Sequence, residues 1–287
     1  MSINPLRQQM LDALQMRGYS SRTVETYLYA VQNLSRYYHQ SPDLITPTQI
    51  QAWLLWMLKE KHLSASTCRL RFNGVRFFFV EVLHDSNFQY FSFTLPKAQQ
   101  QFPELLTQDE IVRLFLASPK PQRTLLRSAY GCGLRLNELI KIRPQDINAE
   151  QLLLHIIQGK GGKDRFVPIP PTLLLEWRTF WCLHHSKHWL FPKAYKKEAS
   201  QHLSETTPQK IYTRAKRLAK INKRGGIHSL RHAFATHSLT QGMPIQQLQG
   251  ILGHKHLSTT LHYLHFVPPN KENPSPDLLK QLKRYSK

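Results

Sequence analysis

Cysteine, acidic side chains and long apolar runs are all scarce in this sequence of 287 residues. The three cysteines, Cys68, Cys132 and Cys182, are odd in number and widely spaced, which is typical neither of a disulfide framework nor of a metal site. No apolar run is long enough to cross a bilayer, and the first ten residues lack the basic-then-apolar layout of a signal peptide. These absences favour a protein of the reducing cytoplasm with no membrane partner.

The shortage of acidic residues leaves a large positive charge. Against 39 Lys and Arg stand only 18 Asp and Glu, so the net charge is +21. Residues 1–95 contain 9 basic and 6 acidic side chains, and residues 96–287 contain the other 30 and 12. A field of this sign attracts polyanions, and a nucleic acid is the leading candidate.

Helical periodicity dominates the first ninety residues, with helices predicted after Ser20, after Thr46 and from near Ser64. Prolines and a Gln run then break the pattern, as an interdomain linker would. We therefore predict a mainly α fold of the α+β class. Its parts are a helical bundle over residues 1–95, a linker over 96–106, and a mostly helical domain with a small antiparallel β-sheet over 107–287.

The small sheet is predicted from a change of period between residues 152 and 169. Two short apolar runs, LLLHII and RFVPI, flank the turn-rich segment QGKGGKD, which indicates a β-hairpin with a glycine-bearing loop. Lys160 and Lys163 lie on the tip of this loop. These two lysines either enter a groove of a nucleic acid or are simply solvated.

A rarer combination of side chains lies between residues 228 and 266. His228 and Arg231 stand in HSLRH, His254 follows a Leu-Gly pair, and Tyr263 comes nine positions later. An arginine fork matches a phosphate bidentately, and imidazoles can donate hydrogen bonds to the remaining oxygens. A tyrosine beside such a clamp is a potential nucleophile toward phosphorus. The stretch therefore indicates phosphoryl transfer.

Together with YGCGLRLNEL around Arg135 and GKGGKDRFVP around Lys160, these motifs resemble the tyrosine recombinase (phage integrase) family, most closely its short Xer-like members. The motifs cover residues 107–266, whereas residues 1–95 fit the family's SAM-like core-binding domain by helical pattern. The resemblance implies a two-domain clamp around double-stranded DNA, working as a homotetramer on two sites and as a monomer or dimer when free. It also implies a reaction that needs no metal, ATP or other cofactor.

The resemblance also implies a role for each motif. Arg135 and Arg231 would grip the two non-bridging oxygens of the scissile phosphate, where electrostatic stabilisation is usually the largest contribution to catalysis. His228 and His254 would complete this clamp, with His228 also a candidate proton acceptor. Tyr263 would attack phosphorus, leaving a 3′-phosphotyrosyl link and a free 5′-hydroxyl.

Other residues are expected to support the reaction or to bind DNA. Lys160 would protonate the departing 5′ oxygen, while Lys163 and Arg165 would touch the DNA backbone. Glu138 looks like an orienting or structural carboxylate. A shared polar face of the third helix is expected to lie along DNA or, alternatively, to be merely solvated; it consists of Arg69, Asn73 and Arg76.

Several alternatives remain open on the sequence alone. A zinc hydrolase would use His228 and His232, four residues apart, but the HExxH motif would need Glu at the position of Ser229. A non-catalytic DNA-binding protein of the same fold, a helix-turn-helix reader and a type IB topoisomerase are the others. The roles of the histidines could also be exchanged with their neighbours His232, His256, His262 and His265.

The end of the sequence carries one more expectation. Leu278, Leu279 and Leu282 are spaced as on one face of a short helix, which in the resembled family docks on a neighbouring subunit. Pro274 and Pro276 precede it, so a frayed terminus is the alternative.

Overall fold

The structure, a computed structural model, describes residues 5–85, 88, 104–157 and 164–266. The chain divides into two compact units, Met1–Gln101 and Phe102–Lys287. Most of the expected linker over 96–106 lies outside the described residues. The same is true of the hairpin tip with Lys160 and Lys163 and of the whole tail after residue 266.

The first unit is a bundle of helices, as predicted. Side chains that cap helices accept hydrogen bonds from the backbone three residues on at all three predicted starts, Ser20, Thr46 and Ser64. The last helix continues as a π-helical segment, Phe78–Val82. The α-helices are α1 (Pro5–Met16), α2 (Ser21–Tyr38), α3 (Pro47–Lys59) and α4 (Ala65–Phe77).

Helices α2 and α4 pack against each other, and a glycine lies where they meet. A Cβ atom at Gly74 would come within 3.0 Å of the Cα of Tyr27 and 3.1 Å of the Cβ of Ala30. The apolar stripe of α3, including Ile50, Trp53 and other residues, packs into the same core. The unit therefore depends on close backbone approach as well as on apolar burial.

The second unit is mostly helical around a three-stranded antiparallel sheet, which confirms the predicted fold class. The strands are ordered β1 (Ile147–Asn148), β2 (Leu153–Ile156) and β3 (Arg165–Pro168), with Leu154 opposite Val167. The hairpin was predicted; β1 was not, because two residues carry no periodic signal. The helices are α5 (Gln108–Leu116), α6 (Lys120–Gly131), α7 (Leu136–Ile140), α8 (Pro171–Trp181), α9 (Thr206–Leu218), α10 (His228–Thr240), α11 (Ile245–Leu252) and α12 (Leu257–Leu261), followed by a 3-10 helix, His262–Phe266.

Two sets of hydrogen bonds stabilise the start of α5. Thr107 and Glu110 form the predicted capping box. The Glu110 carboxylate also accepts a hydrogen bond of 2.6 Å from the Lys223 ammonium group, which donates to the carbonyl of Leu105 as well. In the part of the chain that the structure describes, no helix has the length and apolarity to cross a membrane.

Substituting Gly74 with alanine should destabilise the protein by about 1–3 kcal/mol, because the added methyl group meets backbone atoms of α2 that cannot rotate away. Urea unfolding measures the loss. Gly250→Ala is the matched control, since it is also helical but has nothing within 4 Å of the place that an added methyl group would occupy; it should be neutral or stabilising by up to about 1 kcal/mol. Equal effects of the two changes would contradict the packing argument.

Candidate active site

A glycine turn places Arg135 at the start of α7. Gly133 has a φ of +58°, and a Cβ atom there would lie 2.3 Å from a ring carbon of Phe234. Only glycine tolerates both the left-handed backbone and the close ring. The chain thus leaves α6, reverses at Gly133 and presents Arg135 two residues later.

Arg135 spans from its own helix to the end of another. One guanidinium nitrogen donates to Glu138 Oε1 at 2.8 Å, and a second donates to the carbonyl of Gly253 at 2.9 Å. Its backbone N–H donates to Glu138 Oε2 at 2.8 Å. Arg135 therefore links α7 to the residue that follows α11.

Arg231 lies deeper, in the first turns of α10, with only 5% of its surface exposed. It donates to the carbonyls of Gly133 and Leu252, both at 2.7 Å, and its second terminal nitrogen lies 3.2 Å from His254 Nε2. Burial, helped by the charge of Arg135, lowers the pKa of Arg231 to about 10. The guanidinium is still a cation at neutral pH.

Arg165 is a partly buried partner of Glu138. Its guanidinium donates to both carboxylate oxygens, at 2.9 and 2.8 Å, and its Nε donates to the carbonyl of Ile251 at 2.8 Å. The side chain is only 10% exposed. A bidentate pair of this kind is geometrically specific, so Arg165 supports the site in this structure, and its contact with DNA stays a prediction.

Glu138 is thus the shared counter-ion of an arginine cluster. Burial by itself would raise the pKa of Glu138, but the hydrogen bonds and charge of Arg165, together with the hydrogen bonds of Arg135, lower it to about 2. A third guanidinium, that of Arg231, lies 3.9 Å from the same carboxylate. Three cations around one carboxylate leave a surplus of positive charge at this place.

His254 follows the helix-ending Gly253 and faces the cluster. Its Nδ1 lies 2.9 Å from the hydroxyl of Thr260, which is fully buried. Burial, then the charges of Arg231, Arg135 and Arg165, lowers the pKa of His254 to about 4. The ring is therefore neutral at pH 7. Since Arg231 donates to Nε2, the proton lies on Nδ1 and is donated to Thr260.

Tyr263 closes the site from the 3-10 helix that ends the described chain. Its ring stacks on that of His254, with centroids 6.3 Å apart and planes at 11°. Its hydroxyl lies 2.9 Å from His232 Nδ1. Burial raises the pKa of Tyr263, while the charges of Arg231 and Arg135 pull it in the opposite direction.

The two histidines of HSLRH face different neighbours. The His228 side chain is exposed, but partial burial against the cluster and then the charges of Arg231 and Arg135 lower its pKa. His232, one turn later on α10, is the residue that contacts Tyr263. The sequence pointed to His232 only as one of four neighbours with which the histidine roles could be exchanged, and its contact with Tyr263 was not predicted.

The structure therefore brings together four of the predicted residues, Arg135, Arg231, His254 and Tyr263, with His228 close enough to share their electrostatic field. Lys160 and Lys163 lie outside the described residues. On α4, in the other unit, three exposed side chains share one face: Arg69, Asn73 and Arg76. Among the residues that the structure covers, no group of three His, Cys, Asp or Glu is placed to hold a metal ion.

A comparison with known protein families identifies the family of this chain. The pattern of the phage integrase family matches residues 104–268, which is more than half of the chain, and that of the SAM-like N-terminal domain of phage integrases matches residues 6–87. The chain belongs to the phage integrase family. It is a tyrosine-type site-specific recombinase of the short, Xer-like kind, as predicted.

Individual relatives and solved structures of this family are similar to the chain over most of its length. The tyrosine recombinase XerA of Pyrococcus furiosus is 32% identical over 271 residues, covering 90% of each chain. The crystal structure of a XerA recombinase matches with a TM-score of 0.52 and 22% identity, over 99% of both chains. A lambda integrase dimer bound to a core site matches with a TM-score of 0.70 and 19% identity, over 92% of this chain and 77% of that one. These two likenesses show a shared fold.

Replacing Glu138 with glutamine should cost about 3 kcal/mol of unfolding free energy at pH 7, because it leaves two partly buried guanidiniums without their carboxylate. The pKa of Glu138 falls from 4.5 to about 2 on folding, so its stabilising contribution is complete above about pH 4.5 and is lost as the pH falls toward 2. The difference between the two proteins should shrink across that window.

Urea unfolding at several pH values measures this difference. Glu176→Gln is the control, because its ion pair with Arg127 is half-exposed and should contribute less than about 1 kcal/mol. A pH-independent difference between the Glu138 variant and the original protein would show that the carboxylate's charge is not what stabilises the cluster.

Proposed function

We propose that this recombinase cleaves DNA by attack of the Tyr263 hydroxyl on a phosphodiester held by Arg135 and Arg231. The bond from the tyrosine oxygen to phosphorus forms as the bond from phosphorus to the 5′ oxygen breaks. The products are a 3′-phosphotyrosyl link and a 5′-hydroxyl. The 5′-hydroxyl of a partner strand then attacks the link and releases Tyr263, so strand exchange conserves the bond energy and consumes no ATP.

The surplus of positive charge beside Tyr263 is the observation that carries this proposal. Glu138 neutralises only one of three guanidiniums, and the carbonyls that hold Arg135 and Arg231 bear only partial charges. A phosphodiester supplies the missing negative charge. As negative charge builds on the phosphoryl oxygens in the transition state, guanidiniums already held at the site stabilise it.

The neutral histidines can donate hydrogen bonds to the remaining phosphate oxygens. His228 and His254 both have lowered pKa values and can each donate one N–H without adding charge. For His254 this requires the proton to lie on Nε2, which becomes possible once Arg231 turns its donor to the phosphate. The Thr260 hydroxyl can donate as well as accept, so it stabilises Nδ1 in either state.

DNA is the partner, and its wider contacts extend the proposal. The exposed face of α4 with Arg69, Asn73 and Arg76 fits a DNA backbone in charge and spacing. A lambda integrase of the same fold forms a tetramer on a Holliday junction, and we extend that arrangement to this chain as a homotetramer on two duplex sites in the cytoplasm. Exchange between two marked duplexes would separate recombination from resealing of a single duplex.

Changing Tyr263 to phenylalanine should abolish the covalent protein–DNA adduct while leaving DNA binding nearly intact, because only the nucleophilic hydroxyl is removed. A nicked suicide substrate traps the adduct. Tyr130→Phe is a matched control, since the Tyr130 hydroxyl also contacts a histidine, His237, at 2.9 Å; it should form the adduct normally. An adduct in the Tyr263 variant would place the nucleophile elsewhere.

Lys160, which lies outside the described residues, is proposed as the acid that protonates the departing 5′ oxygen. General acid catalysis contributes about 10²–10⁴-fold, so Lys160→Ala should lose roughly that much in cleavage rate, whereas Lys163→Ala should lose mainly affinity. A substrate with sulfur in place of the bridging 5′ oxygen needs no proton on its leaving group and should restore cleavage to the Lys160 variant. Rescue of the Lys163 variant alone would transfer the role to Lys163.

A further inference from the structure

His232 is the side chain that touches the reacting atom of the proposed nucleophile. Its Nδ1 lies 2.9 Å from the Tyr263 hydroxyl, with the ring centroids 5.7 Å apart. The contact joins α10 to the 3-10 helix across 31 residues of sequence, and Tyr263 is only 7% exposed. A hydroxyl in this position is held away from bulk water, so its proton leaves most readily to the imidazole beside it.

The charges around His232 keep it ready to accept a proton. Burial, followed by the electrostatic effects of His228 and Arg231 on its own helix, lowers the pKa of His232. His254, from the segment after α11, also lies within its electrostatic range, and Tyr263 faces it from the 3-10 helix. The ring is therefore neutral, and in the tautomer that carries its proton on Nε2 the Nδ1 lone pair accepts the Tyr263 O–H.

His228 is placed for a different task. The charged groups that shift its pKa are Arg231 and Arg135, the arginines proposed to hold the phosphate, and Glu138, their counter-ion. Those that act on His232 are His228 and Arg231, while its hydrogen bond goes to the phenol. One turn of α10 thus separates a histidine directed at the phosphate from a histidine directed at the nucleophile.

We propose that His232 accepts the Tyr263 proton during cleavage and returns it during rejoining; this rests on the function proposed above. In the forward step the proton moves from the Tyr263 oxygen to His232 Nδ1 as that oxygen bonds to phosphorus and the 5′ oxygen departs. In the reverse step the incoming 5′ oxygen bonds to phosphorus and gives its proton to the group that protonated the departing 5′ oxygen in the forward step. The bond from phosphorus to tyrosine breaks, and His232 returns its proton to the tyrosine oxygen. A bound phosphodiester brings negative charge that stabilises the transient imidazolium.

The test compares two joining reactions that differ only in their leaving group. In the first, a trapped 3′-phosphotyrosyl link is attacked by a 5′-hydroxyl strand, and the tyrosine oxygen must be protonated. In the second, a DNA strand carrying a 3′-p-nitrophenyl phosphate is attacked by the same strand in the protein–DNA complex. Because p-nitrophenolate leaves without a proton, this reaction bypasses the tyrosine and its proton donor.

His232→Ala should lose about 10²–10⁴-fold in adduct formation and in joining from the tyrosyl link, yet stay within a few-fold of the original protein in joining from the nitrophenyl ester. His228→Ala, altered one turn away in the clamp, should be impaired with both leaving groups. His232→Gln retains a hydrogen-bonding side chain that cannot titrate, so it should behave as His232→Ala does.

Three results would overturn the assignment. Normal adduct formation by His232→Ala would mean that the imidazole only packs against the tyrosine. Equal losses with both leaving groups would place His232 on the phosphate or in the scaffold. Activity of His232→Gln equal to that of the original protein would reduce the role to positioning. By contrast, an adduct that survives Tyr263→Phe would refute the proposed function itself, so the two failures are distinguishable.

Discussion

The arrangement of the arginine cluster depends on one buried carboxylate. Glu138 binds Arg165 through both oxygens and Arg135 through side chain and backbone, and it lies 3.9 Å from Arg231. These partners come from β3, from the start of α7 and from α10, so a single side chain fixes three separate elements. Desolvating a carboxylate is costly, and the bidentate pair is what compensates that cost here.

The arginines are also held by carbonyl groups at the ends of helices. The last carbonyls of a helix have no partner within the helix and carry its negative partial charge. Ile251, Leu252 and Gly253, at the end of α11, each offer a carbonyl to an arginine, and Gly133 does the same just beyond α6. These carbonyls hold the cations in place without neutralising them. The cluster therefore stays rigid and still attracts an anion.

An interaction could be predicted from the sequence when its two residues are close together in the chain. The helix starts at Ser20, Thr46 and Ser64 were predictable because a cap is formed within three residues. The hairpin was predictable because its strands are adjacent in sequence. By contrast, the pairing of Arg165 with Glu138 spans 27 residues and the contact of His232 with Tyr263 spans 31, and no periodicity records either. Charge alone suggested that Arg165 binds DNA, and its pairing with Glu138 could not be seen from the sequence.

The site combines charged arginines with neutral histidines. Burial lowers the pKa of the imidazoles in the site, and the guanidiniums near them add to the effect, so that the pKa of His254 is lowered to about 4. Arginine itself resists neutralisation, with Arg231 keeping a pKa of about 10. At neutral pH the site thus holds permanent positive charges for an anion and uncharged imidazole rings. A cluster of lysines could not keep this division, because burial shifts the pKa of lysine readily. The choice of arginine therefore lets the histidines take part in proton transfer while the charge that holds the phosphate stays constant.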